Sequence, residues 1–144
     1  MPQQEARDEL SLEQIEDSFW GDAPADATRL IRTVHEVRRK PLGSLDAEDF
    51  RLLLLQQIST DVLVPRALAK LEQDPLWEGD FYPGDVLSAV LHLPEQYWQT
   101  HREELARLRR VIESLGEPAE LEEMGAPSGV IAKRVEEFPQ RTMV

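Results

Sequence analysis

Apolar residues recur every three or four positions along most of the chain, which is the spacing of one face of an α-helix. Six such segments are predicted, and they cover residues 11–20, 25–40, 46–55, 61–72, 84–93 and 100–115. No stretch has the alternating pattern of a half-buried β-strand. The predicted fold class is therefore all-α, a single-domain bundle of about five to seven helices.

Polar residues at the predicted helix ends support these boundaries. Ser11 is a predicted N-cap, Asp46 with Asp49 forms an acidic first turn of the capping type, and Thr100 with Glu103 has the spacing of a capping box. The run Leu52–Leu55 is apolar on too many sides for a surface helix. We expect its helix to be the central buried one.

The spacing of proline and glycine divides the chain into three parts. We expect residues 1–10 to be a flexible N-terminus and residues 11–116 to be the helical domain. After Gly116 the apolar pattern weakens among prolines and glycines, so residues 117–144 are expected to be a partly ordered C-terminal extension. One short amphipathic helix is predicted there, over residues 130–138.

Charge narrows the classes of partner. The 144 residues include 28 Asp and Glu against 16 Lys and Arg, a net charge of −12. Because phosphate contacts need a cationic face, we expect neither nucleic acid nor a membrane as a partner. The longest apolar run, Leu52–Leu55, is far too short to span a membrane, and the polar N-terminus is unlike a signal peptide. The expected location is cytoplasmic, and the net charge would steer a basic partner to the surface.

Catalytic signals are weak. The chain has no cysteine, which excludes thiol chemistry, and its three histidines, His35, His92 and His101, fall on separate predicted helices without metal-ligand spacing. We therefore expect no cofactor, no metal and no enzymatic activity. A small hydrolase that uses carboxylates with His92 or His101 stays open as an alternative.

Two acidic stretches that contain aromatic residues are the best candidates for a binding surface. Residues 71–101 contain no Lys or Arg, and neither do residues 8–28. Acids would steer a cationic partner while aromatic side chains would anchor it. The candidate partner-binding residues are Trp77, Glu78, Asp80, Tyr82 and Asp85 in one stretch, and Asp17, Trp20 and Asp22 in the other. The alternative is structural, with the acids capping helices and the aromatic side chains in the core.

Several strings occur in the order typical of one known family. They are V-R-R-K-P-L at 37–42, E-D-F-R-L-L-L-L-Q-Q at 48–57, L-V-P-R-A-L at 63–68 and L-E-Q-D-P-L-W-E-G-D-F-Y-P-G-D-V-L at 71–87. F-W-G at 19–21 and L-P-E-Q-Y-W at 93–98 flank them. From residue 19 to residue 98 the chain resembles the immunity proteins of bacterial contact-dependent growth inhibition systems.

The resemblance implies a non-enzymatic cytoplasmic protein that binds and blocks the C-terminal toxin domain of a matching effector, often a nuclease. The charge agrees with this, because a polyanion can occupy the cationic cleft of a basic nuclease and associate quickly. We expect a monomer that occludes its toxin stoichiometrically. An acidic adaptor that mimics nucleic acid for another basic protein is the first alternative.

Overall fold

The computed structural model describes residues 7–142, with side chains as far as Phe138. Within that range nine α-helices follow one another: α1 Leu12–Glu16, α2 Arg29–Arg39, α3 Ala47–Leu55, α4 Thr60–Gln73, α5 Asp85–Leu91, α6 Glu95–Thr100, α7 Arg102–Glu113, α8 Pro118–Glu123 and α9 Ser128–Thr142. One 3₁₀ turn, Leu42–Ser44, lies between α2 and α3. The all-α prediction is confirmed, with more helices than the five to seven expected.

Two of the predicted helix starts are confirmed. The Ser11 hydroxyl accepts the Gln14 N–H, and the Gln14 side chain accepts the Ser11 N–H in return. Asp46 and Asp49 form the same reciprocal pair at the start of α3, with N···O distances of 2.9 and 3.1 Å. These caps supply acceptors for N–H groups that the first helical turn leaves free.

The predicted capping box at Thr100 is wrong. Thr100 is the last residue of α6. Its hydroxyl donates back into that helix, to the Tyr97 carbonyl at 3.1 Å. His101 separates α6 from α7, and no side chain caps the start of α7. The helix predicted to start at residue 100 therefore starts at Arg102 as α7, and the short helix α6 precedes it.

The most buried helix is α5, not α3 as predicted. All seven residues of α5 are buried, because helices α3, α4 and α9 pack around it. Helix α3 buries Phe50, Leu53 and Leu54, but Leu52 and Leu55 are only half-buried. Leu52 and Leu55 therefore lie on the outer side of α3.

Two helices, rather than one, follow Gly116. Leu121 of α8 and Ile131 of α9 form a small apolar cluster with Leu76, whereas Phe138 of α9 joins the main core. The Phe138 ring meets the buried Trp98 ring edge-on at 5.8 Å. The C-terminal segment thus contributes to the core as far as its side chains are described.

Near the N-terminus, residues 1–6 of the expected flexible segment lie outside the described range. Asp8 forms a 2.5 Å ion pair with Arg66 of α4, and the Leu10 carbonyl accepts the Leu42 N–H. In the part of the chain that the structure covers, no helix combines the length and apolar character that crossing a membrane requires.

Candidate functional site

The segment of residues 77–85, here the 77–85 loop, is held in place by a buried carboxylate. Asp85 is 3% exposed, and its oxygens accept the N–H groups of Gly79 at 2.6 Å, Phe81 at 3.0 Å and Tyr82 at 3.4 Å. A carboxylate that accepts several backbone N–H groups fixes the chain around it. Asp85, a predicted partner-binding residue, therefore supports the loop from inside and is not presented to a partner.

A second carboxylate reaches the same loop from α3. The Asp80 N–H donates to Glu48 Oε1 at 2.9 Å, and Arg51 donates to both Glu48 oxygens at 2.7 and 2.5 Å. The Arg51 hydrogen bond, followed by the Asp80 N–H, holds the pKa of Glu48 below its usual range despite partial burial. Glu48 also raises the pKa of Arg51. Sequence analysis missed both residues, because they precede the loop by about thirty positions.

Glycine is required where these two carboxylates converge. A Cβ atom on Gly79 would lie 2.7 Å from Glu48 Oε1 and 3.1 Å from Asp85 Oδ2. Glu48 Oε1 already accepts from Arg51 and the Asp80 N–H, and Asp85 Oδ2 accepts the Phe81 N–H, so neither oxygen can move away without losing a hydrogen bond. The absent side chain is what lets two carboxylates approach one stretch of backbone.

The outward side of the 77–85 loop carries free carboxylates. Glu78 and Asp80 are exposed, and neither carboxylate has an ion pair with any described residue. Phe81 is 67% exposed, and the Arg51 guanidinium lies 4.1 Å from the centre of its ring. Tyr82 is half-buried. Phe81, which sequence analysis did not select, is therefore the exposed aromatic residue of this loop.

Trp77 is directed to a different part of the surface. Its ring packs at 5.4 Å on Phe50, and Lys70 lies 5.9 Å from its centre. It lines an open cleft of about 490 Å³ together with Lys70 and Arg66. The structure thus separates Trp77 from the Phe81 side of the loop.

The second stretch, residues 17–28 or the 17–28 loop, rests on a buried cation. Arg38 is 1% exposed, and it donates to Glu16 Oε1 at 2.7 Å and to the Ser18 carbonyl at 2.6 Å. Its guanidinium lies 4.2 Å from the centre of the Trp20 ring, which His35 meets edge-on at 5.3 Å. Trp20 is thereby oriented by α2 on one side while part of it stays in solvent.

The acids of the 17–28 loop differ in their pairing. Asp22 is almost fully exposed and pairs with Arg39 at 3.0 Å. Asp17 ends α1 in a left-handed conformation, with φ of +51°, and its exposed carboxylate has no ion pair among the described residues. Phe19, which sequence analysis did not select, is 65% exposed. This loop therefore also presents an aromatic side chain beside an unpaired acid.

Comparison with known proteins identifies the family. A sequence model described as CDI immunity proteins matches residues 14–108, which is more than half of the chain. The chain belongs to this family. The result confirms the resemblance to immunity proteins of contact-dependent growth inhibition, which CDI abbreviates. No curated protein and no solved structure matches the chain.

The segment that matches the CDI immunity family contains both loops and leaves α8 and α9 outside. The match therefore covers every candidate partner-binding residue. It does not extend to Phe138, which completes the core against Trp98.

The histidines of this CDI immunity protein lie in three separate settings. His35 Nδ1 is 3.0 Å from the Gly21 carbonyl, and His92 Nδ1 is 3.3 Å from an Arg134 nitrogen. His101 stacks on Tyr97 at 3.9 Å and lies 3.0 Å from Asp61. Among the residues that the structure describes, no three His, Asp or Glu side chains cluster as a metal site.

Proposed function

We propose that this CDI immunity protein binds the C-terminal toxin domain of a contact-dependent growth inhibition effector and blocks it stoichiometrically, as a cytoplasmic monomer without catalysis. We further propose that the toxin is a nuclease with a cationic cleft. Family membership supports a toxin as the partner. The net charge of −12 supports a basic one, because complementary charge raises the association rate.

The observation that carries this proposal is the construction of the 77–85 loop. Glu78 and Asp80 keep their carboxylates free of internal ion pairs, while Asp85 and Glu48 fix the backbone between them. A surface that is already ordered loses little conformational entropy when it binds. The loop is therefore suited to meet Lys and Arg side chains that would otherwise bind phosphate.

The remaining candidate residues take different roles in the proposal. Tyr82 contributes contact area on the Phe81 side of the loop, Trp77 contributes it on the separate cleft beside Lys70, and Asp85 preserves the shape of the loop. Asp17, Trp20 and Asp22 extend the acidic surface on the 17–28 loop.

A pull-down tests the proposal, with the protein as bait and the C-terminal toxin domain of the neighbouring effector as prey. We expect capture at low salt that weakens as salt rises, because exposed charge pairs are screened. Absence of capture at either salt would reject toxin binding and favour the acidic adaptor. Capture that is insensitive to salt would reject the electrostatic mechanism.

A pair of matched double variants locates the charges. Glu78→Lys with Asp80→Lys should weaken capture, whereas Glu103→Lys with Glu113→Lys changes the net charge equally on exposed positions of α7. Both should melt close to the wild type. Equal loss of capture in the two variants would show that net charge alone matters and that the 77–85 loop has no special role.

A further inference from the structure

We infer that the 17–28 loop, the outer side of α3 and the 77–85 loop form one continuous toxin-binding surface, with Phe19 and Phe81 as its apolar anchors. The occupant is a cationic protein surface that offers an apolar recess to each phenylalanine. This inference rests on the proposed function, since it assigns the residues through which the toxin would be held.

Helix α3 provides the middle of this surface. Glu48, Arg51, Leu52 and Leu55 follow the spacing of three and four residues that places side chains on one helical face. Phe50, Leu53 and Leu54 are buried on the other face, against the core. At 1.5 Å per residue, the outer face from Glu48 to Leu55 is about 10 Å long.

The 77–85 loop adjoins the first part of this face. Arg51 stacks on the Phe81 ring and bonds to Glu48, which in turn holds the Asp80 N–H. Phe81 and Leu55 also line one recess, of about 160 Å³. The half-buried leucines of α3 therefore continue the apolar surface that Phe81 begins.

The 17–28 loop adjoins the other end of the same helix. Ser59, just after α3, donates its hydroxyl to Glu16 Oε1 at 2.9 Å, and Glu16 holds the buried Arg38. Trp20, Arg38 and Ile58 line a shallow hollow of about 350 Å³ there. A standard protein interface covers roughly 800 Å² on each partner, or ~30 Å across, so one partner can cover both ends.

Phe81 and Phe19 have the largest exposed fractions among the large apolar side chains of the described residues, at 67% and 65%. Neither ring is there to fill the core. The Arg51 guanidinium covers one face of Phe81, and the neighbours of Phe19 on both sides are bound to Arg38. An exposed ring that stacks on a guanidinium, as Phe81 does, or that projects from a segment fixed on both sides, as Phe19 does, is suited to serve as a binding anchor.

The charges of this surface identify a cationic occupant. Arg51, Arg38 and Arg39 each pair with an acid, namely Glu48, Glu16 and Asp22. Glu78 and Asp80 at one end, and Asp17 and Asp26 at the other, have no ion pair among the described residues. Arg134 beside Phe81 and Arg32 beside the 17–28 loop offset only one of the two acids at each end, so the remaining charge favours a basic protein over an acidic one.

The test is the dissociation constant for the toxin domain, measured with the wild type, Phe81→Ala, Phe19→Ala and the double variant. We expect each single change to raise the constant about 30-fold, and the double variant to approach the product of the two. Met124→Ala is the matched control, because Met124 is 61% exposed and lines a separate hollow with Leu76 and Leu115, close to the 77–85 loop but not among the residues assigned to the surface. It should bind as the wild type does.

A second measurement examines the middle of the surface. The chain has no cysteine, so Gln56→Cys can carry a single environment-sensitive fluorophore at the exposed end of α3. Its emission should shift to shorter wavelength when the toxin domain binds. Thermal melting of all variants should match the wild type, because both phenylalanines are exposed.

The outcomes separate this inference from the proposed function. If the wild type binds but Phe19→Ala or Phe81→Ala binds equally well, the single surface is rejected and toxin binding stands. An unchanged label at position 56 in a formed complex would reject the bridge along α3. If the wild type itself fails to bind the toxin domain, the proposed function is what fails.

Discussion

The 17–28 loop and the 77–85 loop are both acidic on the outside, but different side chains hold their backbones. In the 17–28 loop, the buried Arg38 donates to the Ser18 carbonyl and the buried Glu13 accepts the Trp20 N–H at 3.0 Å, while the exposed Arg32 donates to the carbonyls of Ala25 and Ala27. Beneath the 77–85 loop, Asp85 and Glu48 accept backbone N–H groups. Charges of both signs therefore hold the 17–28 loop, whereas the side chains described as bonding to the backbone of residues 79–82 are all carboxylates.

This difference determines what each loop depends on. Arginine stays protonated at any ordinary pH, so the bonds that Arg38 and Arg32 make to the 17–28 loop keep their charge. The pKa of Glu48 is lowered by Arg51 and the Asp80 N–H, so the support that Glu48 gives the 77–85 loop is lost in acid, when that carboxylate is protonated. The acids beneath the 77–85 loop also add to its outward negative charge, with Arg51 as the nearby compensating cation.

Arg38→Met should have the largest effect on stability. It removes a buried cation from Glu16, from the Ser18 carbonyl and from the Trp20 ring, and we expect a loss of about 3 kcal/mol in the free energy of unfolding. Urea denaturation measures it. The control is Arg39→Met, the same change at an exposed neighbour, which should cost less than about 1 kcal/mol. Equal costs would mean that burial of Arg38 is irrelevant.

Asp85→Asn should lower the free energy of unfolding by about 2 kcal/mol. Asparagine has the size of aspartate but only one acceptor oxygen, whereas both oxygens of Asp85 accept backbone N–H groups of the loop. The backbone amide shifts of Gly79 and Phe81 should move strongly in nuclear magnetic resonance spectra. Those of Ser18 and Trp20 should stay in place. Movement of both sets would show that the two loops are not supported independently.

Glu48→Gln should cost about 1 kcal/mol at neutral pH, and that cost should vanish in acid. The folded pKa of Glu48 is lowered, so its stabilisation is present above the unfolded value near 4.5 and is lost as pH falls through the folded pKa. Urea midpoints of wild type and variant should therefore converge as the pH falls through the lowered folded pKa of Glu48. A gap that stays constant with pH would reject this ionic support.

Asp22→Ala should have the smallest effect, within about 0.5 kcal/mol, since its pair with Arg39 is exposed and screened by solvent. The thermal midpoint should be nearly unchanged. A larger loss would indicate that the 17–28 loop depends on its surface pair as well as on Arg38.

Local signals made much of the fold predictable. Ser11 and Asp46 were identified as helix starts because each bonds within its own first turn, three residues away. The Thr100 prediction failed because the same spacing also lets a hydroxyl bond back to its preceding helix. Helix α5 was found, but its central position was not, since burial depends on helices far away in sequence.

The candidate site was predicted only in part, for the same reason. Acids and aromatic residues marked both loops, but the pattern could not show that Asp85 is turned inward or that Phe81 and Phe19 are turned outward. Glu48 and Asp80 are 32 positions apart, and Glu16 and Ser59 are 43 apart. Only the folded chain brings such pairs together.

The contact between Trp98 and Phe138 has a consequence during protein synthesis. The 40 residues that separate these rings, 138 minus 98, take about 2–8 s to translate at 5–20 residues per second. During that interval the indole lacks the ring that later covers it, although every residue of both loops has already been made. The ribosome therefore adds every residue of the two loops to the chain before it adds the ring that packs on Trp98.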